Sequence, residues 1–197
     1  ADSSDSRVRY MVRVLLNNWN SYTTALFAED LKVSKNTVCQ DLKRAEEQLN
    51  RMGLEGVKKT GAGIYVQGPE PKLRRAMVRV NRMAGPDEKG AGNQPERDTG
   101  DCRMKAETLV RMKTCYRGCR VKACVELIRK MEDSWGRKLS DRALEALTEY
   151  LIVTSLRAKN GHVIQKGFRA GEGENCEGAA KQAAFLAKAL ELPKEER

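Results

Sequence analysis

Residues 24–52 read TALFAEDLKVSKNTVCQDLKRAEEQLNRM, and this stretch decides the fold. Thr23 or Thr24 offers a hydroxyl to cap a first helix, with Leu26, Phe27 and Leu31 as its apolar side. Lys32 and Val33 make a turn, and Ser34 caps the helix that follows. Val38, Leu42, Ala45, Leu49 and Met52 then recur at spacings of four, three, four and three, which makes one buried stripe. Gly53 supplies a left-handed stop. The pattern predicts helix, tight turn, helix.

At 100° per residue the side opposite that stripe carries Asn36, Gln40, Lys43 and Glu47, flanked by Cys39 and Arg44, with Lys35 near the boundary. Amide side chains can pair with adenine edges, and Lys or Arg with guanine or phosphate. Residues of this kind must lie toward the N-terminal half of a helix that enters the major groove. An ordinary amphipathic helix with a polar outer face accounts for the same pattern equally well. The next segment tips the balance. Gly56-Val57-Lys58-Lys59 and Ile64-Tyr65-Val66-Gln67 are strand-like runs around Thr60-Gly61-Ala62-Gly63, which predicts a hairpin. Lys58, Lys59 and the open glycine backbone at its tip suit contact with phosphate.

Upstream, Val8, Met11, Val12, Leu15, Leu16 and Trp19 share one side of a helix that NNWNS ends. Downstream, an arginine-rich helix is expected over 71–83. Residues 84–100, AGPDEKGAGNQPERDTG, lose all apolar periodicity and read as a flexible loop or interdomain linker. Helices are expected over about 101–118, 121–135, from Ser140 to Asn160-Gly161, and over 178–192. In the third of these, Leu144, Leu147, Leu151 and Leu156 line one side. The fold expected is therefore mainly α: three helices plus a β-hairpin wing over 1–83, then a helical bundle over 101–197.

Charge agrees with a polyanionic partner. The net charge is +10, and the twelve basic and five acidic residues between Leu31 and Met83 supply +7 of it in about a quarter of the chain. No apolar run approaches the roughly 20 residues of a membrane span, and no signal peptide opens the sequence. The opening ADSSDSR lacks an initiator Met, so the N-terminus reads as processed or cut. Six cysteines without a secretory signal point to reduced thiols in a cytoplasm. Cys115, Cys119 and Cys124 are the closest set, but there is no CxxC pair and the single His162 is distant, so no metal and no cofactor is expected. Walker, GxSxG and paired-histidine motifs are all missing, and an enzyme is not expected.

The residues carry a resemblance. FAEDLKVSKNTVCQDLKRAEEQLNRMGL and TGAGIYVQGPE resemble the winged-helix domains of bacterial transcription regulators that also carry PTS regulation domains (PRDs). The resemblance runs through Val33-Ser34, Thr37-Val38, Asp41-Leu42 and Gly63-Ile64-Tyr65-Val66-Gln67-Gly68-Pro69-Glu70, and covers about residues 8–83. SDRALEALTEYLIVTSLRAKNGHVI is similar to the segment of a PRD in which a phosphorylated histidine precedes an arginine by seven residues. With Arg157 and Gly161 in the family's Arg and Gly positions, Tyr150 stands where that histidine belongs. Tyrosine does not accept a phosphoryl group from a phosphohistidine donor in the family's manner, and the chain stops before a complete PRD. The resemblance therefore implies a fragment or a degenerate PRD.

Taken together, the expectation is a sequence-specific regulator of carbohydrate genes under phosphotransferase-system control, binding double-stranded DNA as a homodimer. Asn36, Cys39, Gln40 and Lys43 are expected to read bases, and Lys35, Arg44, Lys58 and Lys59 to hold the backbone. Ser34 and Thr37 complete that surface at the helix start. Two alternatives stay open at this point: an RNA-binding antiterminator, and a winged helix that only docks another protein.

Overall fold

The computed structural model describes residues 3–18, 20–59, 61–83, 103–116 and 118–164. The chain divides into two compact units, Ala1–Met83 and Ala84–Arg197. Trp19, the stretch expected as a linker and the helix expected over 178–192 lie outside the described residues.

The first unit contains α1 (Ser4–Asn17), α2 (Thr24–Leu31), α3 (Lys35–Arg51), β1 (Glu55–Lys59), β2 (Gly63–Gln67) and α4 (Glu70–Met83). Three of these helices start under a hydroxyl cap. Ser3 accepts from the Ser6 N–H, Thr23 from Leu26 and Ser34 from Thr37, each satisfying a donor that the helix itself leaves open. Lys32 ends α2 in the left-handed region at φ 53°, so three residues suffice to reverse the chain into α3.

Val8, Met11, Val12, Leu15 and Leu16 of α1 meet Val38, Leu42, Ala45 and Leu49 of α3 in one core, closed by Phe27, Leu54, Ile64, Leu73 and Met77. Helix α1 packs against both α3 and α4. The apolar side expected for α2 is only partly right. Phe27 is fully buried, but Leu26 is 42% exposed. This two-turn helix packs mainly on α3, so a single strip of its surface is covered.

The hairpin is antiparallel, with Glu55 opposite Gln67, Val57 opposite Tyr65 and Lys59 opposite Gly63. It is also tied to the loop before α2. Tyr22 and Ile64 exchange backbone hydrogen bonds of 2.8 and 2.9 Å, and the Ser21 hydroxyl donates to the Ala62 carbonyl. Gly63 makes that approach possible, since a Cβ there would sit 2.7 Å from the Tyr22 carbonyl oxygen. The unit is thus mainly helical with a small two-stranded antiparallel sheet behind three helices, a layout compatible with a winged helix.

The second unit contains α5 (Ala106–Cys115), α6 (Val121–Trp135) and α7 (Asp141–Lys159). Helix α5 is shorter than the 101–118 expected, starting at Ala106 behind an N-cap, Lys105, whose side chain makes no capping bond. Helix α7 corrects a second expectation. Its burial is not confined to one leucine face, because Thr148, Glu149, Val153, Thr154 and Arg157 are buried along with Leu144, Leu151 and Ile152. These positions go all the way round the helix, which marks α7 as the inner element of its unit.

Two carboxylates pin the unit internally. Glu149, wholly buried, accepts from both Arg111 terminal nitrogens at 2.6 and 3.1 Å and from the Tyr116 hydroxyl at 2.9 Å. Glu132 accepts two bonds from Arg103, at 2.6 and 2.8 Å, and one from the Leu139 N–H at 2.6 Å. No helix among the described residues is long and apolar enough to cross a membrane.

Candidate nucleic-acid interface

Helix α3 keeps its polar face bare. Lys35, Asn36, Cys39, Gln40, Lys43 and Arg44 are all exposed, while Val38, Leu42, Ala45 and Leu49 on the other side are buried. The stripe fixes the rotation of the helix, and that rotation turns the amides and Lys43 to solvent. Ser34 and Thr37 sit at the start of the helix, where the Ser34 hydroxyl takes the Thr37 N–H at 3.1 Å and lies 2.9 Å from its hydroxyl. Their side chains are therefore already engaged in the cap.

One residue in the stripe's own register is an acid. Asp41 is 3% exposed and takes the Arg7 Nε at 2.6 Å and the Ser4 hydroxyl at 2.6 Å. Burial works against its charge. The hydrogen bonds from Arg7 and Ser4 and the pull of Arg7 and Arg44 outweigh that, holding the carboxyl below the usual range. This clamp ties the first turn of α1 to the middle of α3. A carboxylate three residues after Val38 and four before Ala45 is the sequence signal for it, since it falls at the edge of an apolar stripe.

The clamp extends outward to Arg44. Its guanidinium donates to the Ser4 hydroxyl at 2.6 Å and to Asp5 at 2.5 Å, with both partners of the ion pair well exposed. Arg44 is therefore preoccupied, whereas among the described residues no carboxylate pairs with Lys35 or Lys43. In the hairpin, Lys58 Nζ lies 2.8 Å from Glu46 Oε1 of α3, an electrostatic contact without hydrogen-bond alignment. Lys59 is exposed at the end of β1, and Gly61 at the tip stands in open space. The structure thus brings the α3 face and the hairpin lysines onto one contiguous unit, since β1 packs on α3.

A second polar knot fixes α2. The hydroxyls of Tyr10 in α1 and Tyr22 in the loop both donate to Asp30 Oδ2, the former at 3.0 Å. Burial, reinforced by Asp30, raises the Tyr22 phenol far above its ordinary range, so it remains a donor. Phe27 packs on the Tyr22 ring with centroids 4.5 Å apart. Nothing in the local pattern of the sequence announces these contacts, because each partner comes from a different element.

The two positions that the resemblance marks as regulatory, Tyr150 and Arg157, fall on α7. Tyr150 is half-buried and Arg157 is buried, two turns apart and so on the same side of the helix. The Arg157 carbonyl accepts the His162 N–H at 2.9 Å, which folds the end of the helix back on itself. Among the described residues no group of three metal-ligating side chains gathers. Cys39 is exposed, while burial and the neighbouring Cys119 push the Cys124 thiol up to about 11. No family model matches the chain, and no curated protein matches it.

Proposed function

We propose that the first unit is a winged helix-turn-helix that reads duplex DNA by sequence, and that the chain is a transcription regulator acting in the cytoplasm. The observation that carries this reading is the α3 face. Asn36, Gln40 and Lys43 are exposed together on successive turns, Lys43 has no carboxylate partner among the described residues, and a lysine-bearing hairpin lies alongside. A helix offering two amides and an ammonium over about two turns has the donor and acceptor set that base edges in a major groove require. The wing lysines then supply phosphate contacts, which give register and salt dependence rather than sequence.

In the same reading the second unit is a PRD-like bundle that passes a metabolic state to the reader, in a homodimer that places two readers on paired half-sites. Carbohydrate genes and phosphotransferase-system partners follow from the sequence resemblance. Tyr150 in place of the histidine argues that control by phosphorylation does not act at this position.

The test begins with selection of bound duplexes from a random pool, followed by gel-shift titration at fixed salt. Gln40→Ala and Lys43→Ala are each expected to cost about 1–3 kcal/mol on the selected site, with little change on random duplex. Unchanged affinity in both variants would sink the reading.

A further inference from the structure

Helix α4 carries a second concentration of positive charge that the reading face does not explain. Its inward side is Leu73, Ala76, Met77 and Asn81, the last exchanging amide hydrogen bonds of 2.9 Å with Asn17 of α1. Its outward side is Lys72, Arg75, Arg79 and Arg82, all exposed and spaced by three, four and three residues. At 3.6 residues per turn these four fall within a sector of about 80° and along about 15 Å of helix axis. Like charges at such spacings destabilise a helix, so the arrangement works against the fold that displays it.

Compensation within the helix is spent elsewhere. The one acid of α4, Glu70, lies 2.9 Å from the Arg74 Nε, and Arg74 is 1% exposed. Among the described residues no carboxylate pairs with Arg75 or Arg79, and the Arg75 Nε reaches only the Pro71 carbonyl at 3.3 Å. Lys72 has a local task, because its ammonium hangs over Gly53 at the C-terminal end of α3, where a helix attracts a cation. The stripe proper is Arg75, Arg79 and Arg82.

Position separates this stripe from the reading face. Helix α1 packs on both α3 and α4, which make little or no contact with each other, and the stripe points away from α1. A second copy of the chain does not fit through the same face, because like charges would meet. A row of guanidiniums suits the phosphate backbone, which offers one negative charge per about 1.7 Å of duplex axis and accepts bidentate bonds from arginine.

We propose that the Arg75, Arg79 and Arg82 face is a second, sequence-independent duplex contact, which grips the backbone of another DNA segment while α3 reads the first. One reading unit then bridges two segments. The proposal rests on the DNA-binding reading above, and the experiment separates the two.

The full chain, the triple variant Arg75→Gln, Arg79→Gln, Arg82→Gln and the base-face variant Asn36→Ala, Gln40→Ala, Lys43→Ala are compared in two assays. The first follows the affinity for a random-sequence duplex against salt. The second follows energy transfer, at limiting protein, between a labelled duplex carrying the paired selected half-sites, which occupies both readers of a dimer, and a separately labelled random-sequence duplex. The stripe variant is expected to lose the transfer and to flatten the slope of log K against log salt by about 2–3, at about 0.9 per lost phosphate contact. It keeps its preference for the selected site.

If the stripe variant keeps both transfer and slope, the second contact does not exist, and any partner of α4 is then an acidic protein rather than DNA. If instead the base-face variant keeps its site preference while the stripe variant loses the transfer, the reading face fails and the second contact stands. A parent chain that brings no duplexes together overturns the bridge outright. Glutamine favours helix, and Arg79→Gln alone repeats the test at about one unit of slope should the triple variant unfold.

Discussion

The two units spend their arginines in opposite directions. In the second unit Arg103 and Arg111 turn inward, each closing two hydrogen bonds on a carboxylate that is almost or wholly buried, Glu132 or Glu149. In the first unit the described residues include two inward pairs, Arg7 with Asp41 and Arg74 with Glu70, while Lys35, Lys43, Arg44 and Arg51 of α3 and Lys72, Arg75, Arg79 and Arg82 of α4 are exposed. Paired inside, an arginine fixes the relation of two helices and offers nothing to a ligand. Left outside, it stabilises little and is available to phosphate. The same residue type therefore signals internal architecture in one half of the chain and an exposed positive surface in the other.

The largest effect expected from breaking this contrast is in the second unit. Glu149→Ala removes the carboxylate that Arg111 and the Tyr116 hydroxyl share across α5, the following turn and α7. Removing one partner of a buried pair typically costs about 3–5 kcal/mol. Hydrogen exchange resolved by segment should show α5 and α7 losing protection while α1 and α3 keep theirs. Equal loss in both units would mean that the pair does not belong to a separately stable body.

Next comes the inward pair of the first unit. Asp41 has a folded pKa below its ordinary value, so its contribution is complete above the unfolded carboxyl range and is lost as pH falls through the folded one. Stability of the α1–α3 packing should therefore decline below about pH 4. Asp41→Asn should flatten that acid limb and lower stability at neutral pH by about 1–3 kcal/mol, the range for hydrogen bonds to charged groups. Glu132, also held low against its burial by Arg103 and the Leu139 N–H, gives the second unit an acid limb of the same sign. Denaturant titrations at pH 7 and pH 3 with a reporter in each unit check both. An Asp41→Asn profile parallel to the parent's would remove the clamp from the account.

What was legible in the sequence was what depends on neighbours along the chain. The stripe from Val38 to Leu49, the caps at Thr23 and Ser34 and the Lys58–Ile64 hairpin all follow from residues within a few positions of one another. The exposure of Asn36, Gln40 and Lys43 was readable for the same reason, since a helix whose buried side is known has its other side fixed. Leu26 misled because eight residues do not tell which strip of a short helix is covered. Asp41 stands out at the edge of the stripe, but the partners of the inward acids were illegible because they stand 34, 38 and 29 residues away, at Arg7, Arg111 and Arg103. A charged residue in the sequence looks alike whether tertiary contact will bury it or leave it to water.

Arg44 sits on the border between the two uses, and it gives the smallest and most discriminating effect. Its guanidinium belongs to the exposed flank of α3, yet Asp5 and the Ser4 hydroxyl already hold it. The Arg44 and Asp5 side chains are 49% and 68% exposed, so their pairing is worth at most about 1 kcal/mol and is screened by salt. A duplex phosphate competing for Arg44 must displace or share that carboxylate. Asp5→Asn should therefore leave folding stability within about 0.5 kcal/mol, as surface changes do. It should also strengthen duplex binding by up to about 1 kcal/mol, with a salt dependence steeper by as much as one phosphate contact. Arg44→Ala should abolish that gain when combined with it. If Asp5→Asn changes neither affinity nor slope, Arg44 belongs with the inward arginines as a brace between α1 and α3, and the DNA-facing surface shrinks to Lys35, Asn36, Gln40 and Lys43 with the hairpin.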